Sequence, residues 1–368
     1  MIPRNIIMIH RFFLTVILLS ASLVYAEPVK SPVVIVTAKD SSPEPKLKKP
    51  LLKVLFDLLL THRPGLQPAT TFDTYHYLLG VEFQPILTTK FSFELSTDPR
   101  YFQLEQDLTS NPGTLQLRLG KIWVPFDDLS PHTIYGGRAN LAKLVHPDGL
   151  PFFPDVFTDL GIALRHRIFL SSELTLVSYL YVVNGFQDLG RDPKDPNVGA
   201  YPNFGDIPLE DNNDDKAIGA RLHLDYGRAF GVGVSAYRCR YSNRATEAAS
   251  LFMLGIDGQV RFLGTELRAG YLFVNVNLPS PAPNGFVKGG LYTEWGIPVV
   301  ERWKLVLRGG EAQQDSRGPD AMDQIILGTA ILYKPGPVQF SVQYDRDLHR
   351  NDLKRNYELV GARMAVSI

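Results

Sequence analysis

Six arginines recur roughly one to a segment along the chain: Arg118, Arg165, Arg221, Arg268, Arg308 and Arg363, each preceded by an apolar residue. Acids hold equivalent places in the same segments: Glu82, Glu94, Asp159, Asp257, Glu266, Glu294 and Asp345. A guanidinium keeps its charge at any working pH and offers only donors, whereas a carboxylate only accepts. Rows of these groups facing one aqueous space create a transverse field and bias which ions enter it. The same groups also pair across strands and merely stiffen a wall. Cations slightly outnumber acids on these positions once Lys90, Lys288, Arg302 and Lys304 are included, which implies a weak preference for anions.

Covalent chemistry has no comparable support. There is no G-x-S-x-G, H-E-x-x-H, P-loop or glycine-rich dinucleotide motif. His132 and His146 share a stretch with acids and form the nearest approach to a hydrolytic cluster, so no catalytic residue is assigned. Cys239 is the single cysteine, which excludes an intrachain disulfide or a cysteine metal cluster. The run GDIPLEDNNDDK over 205–216 is rich in oxygen ligands but lacks EF-hand spacing, and it reads as a solvated loop. No cofactor or metal is expected. Lys+Arg and Asp+Glu are both 38, which gives no argument for a nucleic-acid partner.

The elements that must position the arginines are strands. In Leu115–Asp128, LQLRLGKIWVPFDD, apolar Leu115, Leu117 and Leu119 alternate with Gln116, Arg118 and Gly120. A period of two marks a strand with one apolar face. Pro125 cannot donate to a ladder and ends it. About thirty residues without alternation follow, over 125–155, carrying Asp127, Asp128, Arg138, Lys143 and His146. Similar alternation resumes repeatedly to Ile368, in segments of the ~9–11 residues a tilted spanning strand needs. Tight turns alternate with longer loops, as in transmembrane barrels. A two-sheet sandwich would also alternate, but its loops would not sort by length.

About fifteen strands follow Phe72. Single-chain bacterial barrels have even numbers, so Leu52–His62 supplies the missing first strand and the expected total is sixteen. That stretch also reads as a short helix at the mouth. The expected fold is therefore all-β, a transmembrane antiparallel β-barrel with long external loops and short periplasmic turns. Residues 1–26 read as a signal peptide, with Arg4, His10 and Arg11 before an apolar core. Residues 27–50 form an irregular periplasmic lead-in and 51–368 the barrel, which places the protein in the cell outer membrane. Arg238 and Arg240 fall on the outward parity beside a loop. There they meet lipopolysaccharide phosphates, or a bulge turns them inward.

LQLRLGKIWVPFDD resembles the strand-and-rim signature of the phosphate-selective porin O and P family. Thr158–Ile162, Val182–Gly185, Asp214–Leu222 and Gly233–Tyr237 resemble that family's successive strands, in order, over about residues 70–242. The resemblance fades beyond, and Ile368 replaces the common terminal Phe. It implies a trimeric, water-filled diffusion channel for small hydrophilic solutes or anions, with the 125–155 loop folded into the lumen. That loop has one lysine, Lys143, where phosphate-selective members carry several. Pore-lining or constriction residues are then Arg118, Asp127, Asp128, Arg138, Lys143, His146, Asp159, Arg165, Arg221, Arg268, Arg308 and Arg363. The alternatives are a structural or adhesive surface protein with a plugged lumen, or an outer-membrane hydrolase.

Overall fold

Strict alternation of apolar and polar residues leaves the chain one way to satisfy both its backbone and its faces, a long antiparallel sheet. The computed structural model describes residues 51–62, 70–73, 77–95, 99–111, 113–127, 157–187, 202–204, 215–242, 249–278, 285–314, 322–349 and 357–367. The expected signal peptide and lead-in lie outside them, as do Asp128, Arg138, Lys143 and His146.

Seventeen strands are present among these residues: β1 (Leu51–His62), β2 (Thr70–Asp73), β3 (Tyr77–Ile86), β4 (Thr89–Leu95), β5 (Pro99–Asp107) and β6 (Leu115–Trp123). Then come β7 (Thr158–Phe169), β8 (Leu174–Val183), β9 (Ala217–Tyr226), β10 (Phe230–Arg240), β11 (Ser250–Phe262) and β12 (Thr265–Asn277). The last five are β13 (Phe286–Val300), β14 (Trp303–Gln314), β15 (Met322–Tyr333), β16 (Val338–His349) and β17 (Tyr357–Ser367). From β3 onward each strand pairs antiparallel with the next. β1 pairs with β17 on one side, Leu59 opposite Arg363, and with β2 and β3 on the other. Leu52–His62 is thus a strand and not a helix. With partners on both sides, β1 and β3–β17 present no long unpaired edge for another chain to join.

The two faces differ as the alternation requires. On β16, Phe340, Val342 and Tyr344 are exposed, whereas Gln339, Ser341, Gln343 and Asp345 are buried. The apolar side chains of one face, Leu180, Ile218, Leu222, Val234 and Leu327 among them, are 49–63% exposed where they have no protein neighbour. Trp295 and Trp303 lie on this outward face. Turns at one end are short, as at 227–229, 263–264 and 301–302, and connections at the other end are longer. Arg302 sits in one of these turns with φ 68° and pairs with Glu301 at 3.4 Å, so it does not join the inward row expected of it.

Val234 lies midway along β10 on the apolar face. Val234→Arg is expected to lower stability in lipid vesicles by about 2–4 kcal/mol, read from the denaturant midpoint of refolding. Gln259→Arg, on the inner face of β11, is expected to shift it by about 0.5 kcal/mol or less.

Candidate functional site

β6 does not simply run out at its rim. Gly120 adopts φ +118°, and the carbonyl of Phe102 lies where a Cβ would stand, so glycine is required for the close approach of β5. Beyond Trp123 the chain leaves the wall and crosses the inner space. The backbone N–H of Asp127 donates to Ser235 Oγ on β10 at 3.1 Å. Tyr292 on β13 donates its hydroxyl to Asp127 Oδ1 at 2.9 Å. Asp127 itself has φ 63°, a left-handed turn that an aspartate tolerates better than most residues. The Phe126 ring lies over Gly255 of β11, where an added Cβ would stand 3.2 Å from it. Of the expected constriction residues on this segment, Asp127 is therefore inside and buried.

Ser235 is held from below. Arg221 on β9 donates to Ser235 Oγ at 2.8 Å and to both Asp257 oxygens at 2.5 and 2.7 Å. The Arg221 fork lies across Gly233, where a Cβ would stand 2.5 Å from its Nη2. A bidentate pair of this kind is directional and nearly neutral as a unit.

Above the docked segment the inner face is apolar, which corrects the expectation of a wet inner wall throughout. Tyr181, Val183, Tyr237, Leu251, Met253 and Val274 face inward and are almost fully buried. The reason is the loops: Phe126, Phe157, Phe186 and Phe204 pack against this wall. Tyr237 is the centre, with ring centroids 6.4 Å from Phe126, 5.5 Å from Phe157 and 5.6 Å from Phe186. Phe157 stacks on Phe186 at 5.5 Å. Asp159 ties this region down by accepting the backbone N–H of Gly185 at 2.6 Å and that of Leu160 at 2.7 Å, so it acts here as an anchor. Cys239 belongs to the same buried core.

The arginine row divides into two groups. Arg221 pairs with Asp257, Arg308 with Asp345, and Arg268 with Glu266, which also lies 3.8 Å from Lys304. Arg221 and Arg308 thus each have a carboxylate of their own, whereas Glu266 is shared by Arg268, Lys304 and Arg261, the last at 3.1 Å. Arg118 and Arg165 are different. Arg118 Nε donates to Gln116 Oε1 at 3.1 Å, and its guanidinium lies 5.6 Å from the Tyr179 ring centre. Arg165 Nε has no hydrogen-bond partner. Arg167, two residues further on the same face of β7, joins them. No carboxylate among the described residues pairs with any of the three; Glu105, opposite Arg118 on β5, instead accepts from Gln103. Arg363 is placed by register alone, between Leu59 and Ser341.

Arg167 was within reach of the sequence, because it continues the parity of Asp159, Ala163 and Arg165. Ser235, Tyr237 and Tyr292 were not. Each is an ordinary inward strand residue until the segment from β6 arrives, 108 and 165 positions away in sequence from Ser235 and Tyr292.

The sequence matches no protein-family model and no curated protein. Solved structures share the fold. An anion-selective porin from Comamonas acidovorans superposes with TM-score 0.63 at 9% identity, covering 87% of this chain and 99% of that one. A loop L8 deletion mutant of OmpT, an outer membrane protein of Vibrio cholerae, gives 0.59 at 11% identity, with 87% and 99% covered. The outer membrane channel DcaP of Acinetobacter baumannii gives 0.58 at 11% identity, with 87% and 97% covered. At these identities the likeness shows the fold, the antiparallel β-barrel of outer-membrane porins.

Gly255→Leu is expected to push Phe126 off the wall, lowering stability by about 1–3 kcal/mol. The checks are the denaturant midpoint and the near-ultraviolet circular dichroism of the aromatic cluster, which should weaken.

Proposed function

We propose that this chain is an outer-membrane porin, a water-filled passage for passive diffusion of small hydrophilic solutes and ions. The observation that carries the reading is the docking of Phe126 and Asp127 on the inner face of β10, β11 and β13. A barrel of this size leaves a wide lumen, and a segment crossing it narrows the path. The open side is polar: β16 turns Gln339, Ser341, Gln343, Asp345, Asp347 and His349 inward. β2 and β3 both lie on β1, and counted as one interrupted strand they make sixteen around the ring.

The passage prefers anions weakly. The support is Arg118, Arg165 and Arg167, none of which forms a salt bridge to a carboxylate among the described residues, beside Arg221 and Arg308, which do. The ordered motif run over residues 70–242 supports a divergent place near the phosphate-selective O and P porins, without the lysine-rich loop. One of the superposed proteins, OmpT of Vibrio cholerae, was solved in a trimer form, and we extend a homotrimer to this chain. The outer-membrane lipid, lipopolysaccharide included, is its surrounding partner. We assign it no enzymatic reaction.

The aromatic core around Tyr237 favours one competing reading, a plugged surface protein. Planar-bilayer recording separates the two, because the porin must give discrete open-channel steps. In a KCl gradient the reversal potential is expected on the anion side. R118Q/R165Q/R167Q should move it toward zero, and clear cation selectivity in the parent would overturn the preference. Shortening residues 128–154 should raise the conductance; an unchanged value would remove that loop as the constriction.

A further inference from the structure

We propose that Arg238 and Arg240, at the outer end of β10, bind the phosphate of a phosphorylated lipid headgroup in the outer leaflet; this rests on the outer-membrane reading above. Pairing of β10 with β9 and β11 is unbroken from Phe230 to Arg238, and with β11 to Arg240. No bulge intervenes, so the parity that turns Val232, Val234 and Ala236 outward also turns both arginines outward. Both are exposed.

Their surroundings are what a lipid would meet. Arg238 stands between Ile218 on β9 and Phe252 on β11, outward side chains that are 63% and 37% exposed. It lies two residues below the end of β10, on the order of 7 Å at the usual strand rise. No hydrogen bond or carboxylate partner is formed by Arg238 among the described residues. Arg240 Nη1 is 3.3 Å from Asp215 Oδ2, with side chains 63% and 51% exposed, a pair that solvent largely screens.

An unmatched guanidinium beside hydrocarbon-facing residues must reach the headgroup layer and find an anion there. Its planar fork fits two phosphate oxygens at once. The outward arginine on the other side of the ring is arranged differently, since Arg346 of β16 has Glu358 of β17 at 3.9 Å. The backbone around the pair is also braced. Tyr241 donates its hydroxyl to the Asn277 carbonyl at 2.8 Å, and Asn277 Nδ2 donates to Ser250 Oγ at 3.0 Å. The arginines therefore stand on a rigid rim and not on a free loop.

The test uses the full chain in detergent, with lipid A, lipid A stripped of its phosphates, and inorganic phosphate as probes, read by native mass spectrometry. Lipid A should bind, and R238Q/R240Q should weaken it by about tenfold, the loss of charged hydrogen bonds. R346Q should match the parent, and R238K/R240K should recover part of the loss. Stripping the phosphates should weaken the parent and leave R238Q/R240Q unchanged. Equal affinity in parent and R238Q/R240Q overturns the proposal, as does full displacement by millimolar inorganic phosphate, which would make the site one for free anions. Loss of self-association in R238Q/R240Q with lipid affinity intact also overturns it, because the arginines would then face a second copy. Heat-modified gel migration confirms that each variant is folded. Conductance plays no part in the readout, so a chain that binds lipid A without conducting defeats the channel reading and leaves this one standing.

Discussion

The buried fork of Arg221 on Asp257 is the interaction on which the lumen depends. It consumes the charge of both partners and leaves one guanidinium N–H directed at Ser235. Ser235 is thereby oriented to accept the backbone N–H of Asp127, which has left its own strand and needs an acceptor. With that bond and the hydroxyl of Tyr292 in place, Phe126 falls over Gly255 and the aromatic cluster closes around Tyr237. Without the fork, a lone charge would face this apolar space at high cost.

The same arrangement explains why the inner surface is uneven. Where loop aromatics reach the wall between β8 and β12, the inward residues are apolar and buried. Where they do not, as along β16, the inward residues are amides, hydroxyls and carboxylates. Arg118 of β6 and Arg165 and Arg167 of β7 lie near the end where the turns are short. Among the described residues, Arg221 and Arg308 hold a carboxylate of their own and these three form no salt bridge, so the position of a charge in the ring matters less than whether a neighbour pairs with it.

Much of the wall was legible in residue order. Alternation marked nearly every strand and the face of each. The contrast of short turns and long connections distinguished the two ends, and parity supplied β1 from an ambiguous stretch. The inner aromatic core was harder to see, because Val177 and Val183 blur the register of β8 until their partners are known. The split of the arginine row was invisible for a related reason. Arg221 and Asp257 lie 36 residues apart on strands that do not adjoin, and only the intervening Gly233 lets them meet.

By itself, then, the sequence determined the strand period, the outward apolar face, the inward placement of the arginines and the point at which β6 releases the chain at Pro125. These are local matters, set by the two-residue pleat and by the missing donor of proline. The tertiary structure decided where the released segment lands, which arginines are ion-paired and which part of the inner wall the loop aromatics cover. Those outcomes depend on side chains from strands several places apart meeting across the ring, and the shape of the ring brings them together whatever their separation along the chain.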